Sequence, residues 1–219
     1  IAPDYSSAWL LKDVQMGYLQ EKFAKKGLMI LYTSPWPGQG FYTKSPVNSV
    51  ADFKGKKLRI YSTATQQMGS MLGFNATILP FAEIPQAFST GLIEALFTSP
   101  QTGIDIQAWD NTKHFTYAGA IFSKNAVVVS KKAFNALSKD DQSNILAAAK
   151  KAELRGWEMS AETTKKQIDI LKKNGMSAKN APDEVISKMK SIGLEMMKSW
   201  RSKASPEANA VLDRYLSMR

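Results

Sequence analysis

The chain has 219 residues, of which 44% are hydrophobic and 22% charged, with a formal net charge of +10 and no cysteine. That length and composition suit one large globular domain or two small ones. They exclude disulfides, thiolate metal sites and cysteine nucleophiles, and no apolar run reaches the roughly 20 residues of a membrane span. The positive charge is dispersed and interleaved with acids, as in Lys139-Asp140-Asp141 and Lys150-Lys151-Ala152-Glu153. This is the pattern of solvated helix faces and not of a nucleic-acid-binding patch.

Apolar residues from Ala8 to Phe23 recur at helical spacing, predicting a helix capped by Ser6 or Ser7 and closed near Gly27. Leu28–Thr33 reads as a short buried strand. The Pro/Gly-rich run from Ser34 to Ser49 reads as a loop carrying Trp36, Phe41 and Tyr42, either as incidental aromatics or as one wall of a site. From Ala51 to Pro100 short β-type runs alternate with helix-length segments. The strands are Lys57–Tyr61, Ala76–Leu79 and Leu92–Phe97, which predicts βαβ units and a parallel sheet. Ala126–Ser130 (AVVVS) is rich in β-branched residues and reads as a central, buried strand. A proline-free helix is predicted from Lys139 to Lys173, about 50 Å long at ~1.5 Å per residue. That exceeds what one small domain needs and suggests an element shared by two lobes. Two further helices follow, one from Asp183 and one from Ser205.

No catalytic set assembles. His114 is the only histidine, which rules out a two-histidine metal site, and no glycine-rich phosphate loop occurs. Recognition chemistry remains. Arg59 lies inside a strand between Leu58 and Ile60. A buried guanidinium needs a partner, which is either a carboxylate of the protein or one belonging to a ligand. Phe81 follows a strand-ending proline, and Thr98 and Ser99 end the next strand. All three fall at the carboxyl edge of the sheet, where open α/β folds bind ligands.

The run DFKGKKLRI, then LGFNATILPFAEIPQAFSTGLIEA, TSP and AVVVSKKAFNALSKDDQSNILAAA, resembles the substrate-binding proteins of TRAP transporters, the DctP-type family. The likeness is strong from Ala51 to about Arg155 and looser beyond. It implies an α/β, two-lobed periplasmic-binding-protein-like fold with a long helix spanning both lobes, and a receptor that closes on a small carboxylate and delivers it to an integral membrane permease. It also implies a periplasmic location with the signal peptide removed, no catalysis, no cofactor, no metal and no nucleic acid. The family's first strands and helices would lie ahead of Ile1. On this pattern residues 1–46 and 119–155 belong to one lobe, 47–118 to the other, and 156–219 pack on the latter. The family's strand arginine falls on Arg59, its pocket phenylalanine on Phe81 and its polar contact before the proline on Ser99. A second arginine, common in sialic-acid-binding members, is absent between Pro37 and Lys44. With Trp36, Phe41, Phe81 and Trp109 available, the expected ligand is an aromatic or otherwise apolar monocarboxylate in preference to a dicarboxylate, and Thr98 is a further expected ligand contact. The alternative is an α/β enzyme acting on a carboxylate substrate.

Overall fold

The computed structural model describes residues 1–219. The chain forms two compact units.

The first unit is built from residues 37–121 and 164–202. Its six-stranded sheet has the order β4-β3-β5-β2-β6-β8. The strands are β2 (Gln39–Thr43), β3 (Lys57–Ile60), β4 (Asn75–Ile78), β5 (Ala95–Thr98), β6 (His114–Ala120) and β8 (Ser177–Asn180). β3 runs parallel to β4 and β5, as the alternating pattern predicts; β6 runs parallel to β8, and β2 runs antiparallel to both its neighbours. β2 lies inside the stretch read as a loop, because Pro35, Pro37 and Gly38 mask a five-residue strand that is buried throughout. Gly40 permits the pairing: a Cβ there would lie 2.5 Å from the Thr116 carbonyl oxygen and 2.8 Å from the Phe115 ring.

Both faces of this sheet are covered, so its strands alternate between two apolar layers. Phe41, Leu58, Ile60, Ala95 and Phe97 point into one, with Phe53, Phe74 and residues of α2 (Thr63–Met71) and α7 (Asp183–Arg201). Tyr42, Leu96 and Phe115 point into the other, with Ile84 and Phe88 of α3 (Ile84–Ser89) and Leu171. α2 begins at a capping box in which Ser62 accepts from the Thr65 N–H and the Thr65 hydroxyl accepts from the Ser62 N–H.

The second unit comprises residues 2–36, 122–163 and 203–219. It holds α1 (Tyr5–Ala24), β1 (Leu28–Pro35), β7 (Lys124–Ser130), α5 (Lys131–Asn135) and α8 (Pro206–Ser217). The cap of α1 is Asp4, which accepts from the Ser7 N–H at 2.7 Å, and neither Ser6 nor Ser7 takes that role. β1 and β7 form a two-stranded antiparallel sheet. Within these residues β7 pairs with β1 alone, and Val128 is 40% exposed. A polar cluster ties α1 to β1: Lys12, only 3% exposed, pairs with Glu153 at 3.2 Å and with Asp13 at 2.6 Å, and its ammonium sits over the Trp9 ring. Glu153 also accepts from the Thr33 N–H and hydroxyl.

The predicted long helix, α6, runs over Lys139–Lys173, and its residues belong to both units, changing over between Thr163 and Thr164. The expected lobe boundaries shift elsewhere. Residues 37–46 join the first unit because β2 pairs with β5 and β6. Residues 203–219 join the second because α8 packs on α1. No helix is long and apolar enough to cross a membrane.

Candidate functional site

The carboxyl ends of β3, β5 and β6 and the start of β2 form one edge of the six-stranded sheet. Register fixes this: Arg59 pairs with Leu96, Gly40 with Thr98, and Gln39 with Ala120. Arg59 has its two strand neighbours, Leu58 and Ile60, in one apolar layer, so its own side chain leaves on the opposite face. It is 5% exposed.

Its surroundings answer the question posed by the sequence. Arg59 has no part in the ion pairs Lys12–Asp13, Lys12–Glu153 and Lys172–Asp169. Its Nε donates to the Leu79 carbonyl at 3.0 Å, and its guanidinium carbon lies 5.9 Å from the centre of the Tyr61 ring. Burial lowers its pKa, with the Tyr61 hydroxyl opposing the shift. An internal carboxylate partner is therefore ruled out. What remains is a planar fork of donors matched in shape to a carboxylate.

The other expected site residues separate into four kinds. Phe81 opens the turn after Pro80 and is 52% exposed, two residues from the carbonyl that holds Arg59. Thr98 ends β5 and is buried, while Ser99 is 2% exposed and caps α4 (Pro100–Asp105), its Oγ accepting from the Thr102 N–H at 3.2 Å. The Ser99 carbonyl accepts from the buried Tyr42 hydroxyl at 3.1 Å. Gly103, in the same turn, has no room for a Cβ against that hydroxyl. Ser99 thus shapes the edge of the sheet. The expectation for Phe41 is corrected: it is wholly buried, with ring centres 4.7 Å from Phe53 and 4.8 Å from Phe97, so it belongs to the core and to no exposed wall. Trp36 lies in the second unit, half-buried, where its backbone N–H donates to the Ser123 carbonyl at 2.7 Å.

The sequence did not single out Tyr61 or Gln39. Gln39 is 3% exposed, and its amide meets the Tyr61 hydroxyl 2.7 Å from Nε2 and 2.9 Å from Oε1. The only available signal was the position of Tyr61 two residues after Arg59. His114 opens β6, away from this edge, and burial together with Lys179 and Lys56 lowers its pKa. No group of three or more His, Asp or Glu side chains is gathered that could hold a metal ion.

Comparison with known proteins completes the picture. A family model described as DctP, bacterial extracellular solute-binding protein, family 7, matches residues 5–203. The crystal structure of DctP7, a Bordetella pertussis extracytoplasmic solute receptor binding pyroglutamic acid, superposes with a TM-score of 0.94 at 38% identity, covering 98% of this chain and 71% of that one. A marine metagenome TRAP solute binding protein specific for pyroglutamate gives 0.91 at 32% identity, over 99% of this chain and 71% of that one. A solute-binding protein of Chromohalobacter salexigens is 26% identical over 69% of this chain. The chain spans about half the length of the curated relatives it matches, 48% in that case. The chain belongs to the DctP family, bacterial extracellular solute-binding protein family 7.

Proposed function

We propose that this protein is the periplasmic solute receptor of a TRAP-type secondary transporter, that it binds a small monocarboxylate, and that Arg59 receives the carboxylate. The observation that carries the proposal is the buried, acid-free environment of Arg59 at the carboxyl edge of a largely parallel sheet. A bidentate pair with a ligand carboxylate would supply the counter-charge that the chain itself withholds. Phe81, two residues after the carbonyl that accepts from Arg59, offers an exposed apolar ring for the ligand body. The neighbouring groups Tyr61 and Gln39 are uncharged, which suits a ligand with one negative charge and a neutral polar body. Pyroglutamate fits that description and is bound by both solved relatives above 30% identity described here. With Phe41 in the core, the case for an aromatic ligand loses one of its supports, and a small polar ring is the better match. The receptor's partner would be the membrane permease that accepts the released solute.

A thermal-shift screen of the intact protein against small mono- and dicarboxylates tests this. A ligand that binds the native state alone raises stability by RT ln(1 + [L]/Kd), about 2.7 kcal/mol at a hundredfold excess over Kd. Pyroglutamate or a close analogue is expected to give the shift, and Arg59→Ala to remove it. A shift of equal size in Arg59→Ala would sink the proposal.

A further inference from the structure

Arg59 is held by a relay of side chains that ends far from it in sequence. Its Nε is tied to the Leu79 carbonyl, and its guanidinium carbon lies 5.9 Å from the centre of the Tyr61 ring. Tyr61 in turn meets both ends of the Gln39 amide. Gln39 Nε2 also donates to the Ile121 carbonyl at 3.0 Å. A carbonyl can only accept, so this bond fixes the amide with its nitrogen toward Ile121 and its oxygen as acceptor for the Tyr61 O–H. Ile121 has φ +56°, a left-handed conformation that β-branched residues avoid. The sheet order explains how these residues meet. Gln39 opens β2, Tyr61 follows β3 and Ile121 follows β6, all at the edge where Arg59 emerges.

Resting on the carboxylate-receptor reading of Arg59, we infer that Gln39 is a positioning residue for ligand binding. It fixes Tyr61 through both ends of its amide, and Tyr61 fixes the plane of the Arg59 guanidinium, so that a carboxylate meets an oriented fork. Both amide hydrogens of Gln39 are engaged within the protein, by the Ile121 carbonyl and the Tyr61 oxygen. Its contribution to binding is therefore indirect. Preorganisation of this kind raises affinity by removing the ordering cost at the moment of binding. A relay also predicts non-additivity, because two cuts in one chain of contacts do no more than one.

The test is calorimetric titration of the intact protein with pyroglutamate as probe, in the parent, Gln39→Met, Tyr61→Phe, the double variant and Arg59→Ala. The Arg59 Nε–H resonance is followed by NMR in the ligand-free proteins. Gln39→Met and Tyr61→Phe are each expected to weaken binding about tenfold, the double variant no further than either single one. In both single variants the Arg59 Nε–H signal should move and exchange faster with water, while the urea midpoint stays near that of the parent. Tyr61→Phe keeps the ring and the fold, so it decides the matter if Gln39→Met folds poorly. Binding within twofold of the parent in both single variants, with Arg59→Ala inactive, would overturn the relay and leave the receptor reading intact. Strictly multiplicative losses in the double variant would also overturn it. Undiminished binding in Arg59→Ala would remove the receptor reading and this inference together.

Discussion

Replacing Arg59 by methionine should stabilise the ligand-free protein while abolishing its binding of carboxylates. The side chain is 5% exposed and makes one hydrogen bond, from Nε to a neutral carbonyl. Full desolvation of an ion costs several kcal/mol, against which a single hydrogen bond from a charged donor returns about 1.5–3 kcal/mol. Methionine keeps the apolar stem and removes the charge, for an expected net gain of about 1–3 kcal/mol in the ligand-free state. For a protein of this size 1 kcal/mol corresponds to roughly 2–4 °C in Tm, so differential scanning calorimetry should place the variant at least about 2 °C above the parent. Saturating pyroglutamate should then raise the parent roughly 5–10 °C and the variant not at all. A ligand-free Arg59→Met protein melting below the parent would refute the reasoning, since it would make Arg59 a structural residue whose needs are met within the chain.

Phe41→Ala should cost about 3–5 kcal/mol of stability by opening a cavity among Phe53, Phe74 and Phe97, whereas Phe81→Ala should change stability by no more than about 0.5 kcal/mol and weaken ligand binding; urea melts paired with titrations separate the two. Glu153→Ala removes the inward partner of Lys12 and the acceptor of two Thr33 donors, and a loss of about 3 kcal/mol in chemical denaturation is expected. His114 has a pKa lowered in the folded state, chiefly by burial and then by Lys179 and Lys56. The unfolded chain therefore binds the proton more readily, and stability should fall as pH drops below about 6.5 toward the folded value. Urea midpoints at pH 7.5 and 5 should show a smaller fall for His114→Gln than for the parent, and equal falls would contradict the assignment.

The sequence made the strand–helix alternation from β3 to β5 legible because each segment carries its own period and its own Gly or Pro punctuation. Arg59 stood out for a local reason as well, as the one member of the charged cluster Lys56, Lys57 and Arg59 that lies between two apolar neighbours, Leu58 and Ile60. The same local logic misread β2. Its five residues sit among prolines and glycines, and what makes them a strand is pairing with β5 and β6, more than 50 residues away in the chain. Phe41 followed β2 into error: an aromatic on a loop suggests a wall, while one on a doubly covered strand fills a core. Gln39 was invisible for a related reason, since its tie to Tyr61 depends on the order β3-β5-β2, which no local pattern encodes.

The central claim is that Arg59 recognises the charge of a ligand carboxylate, and the most direct measurement removes that charge from the ligand and leaves the protein untouched. Titration calorimetry of the intact protein should compare pyroglutamate with its neutral carboxamide. A fully formed, desolvated guanidinium–carboxylate pair predicts a carboxamide at least about a hundredfold weaker, in line with the roughly 3 kcal/mol of a hydrogen bond to a charged group. In Arg59→Ala that preference should vanish. Equal affinity of the parent protein for acid and amide would contradict the account.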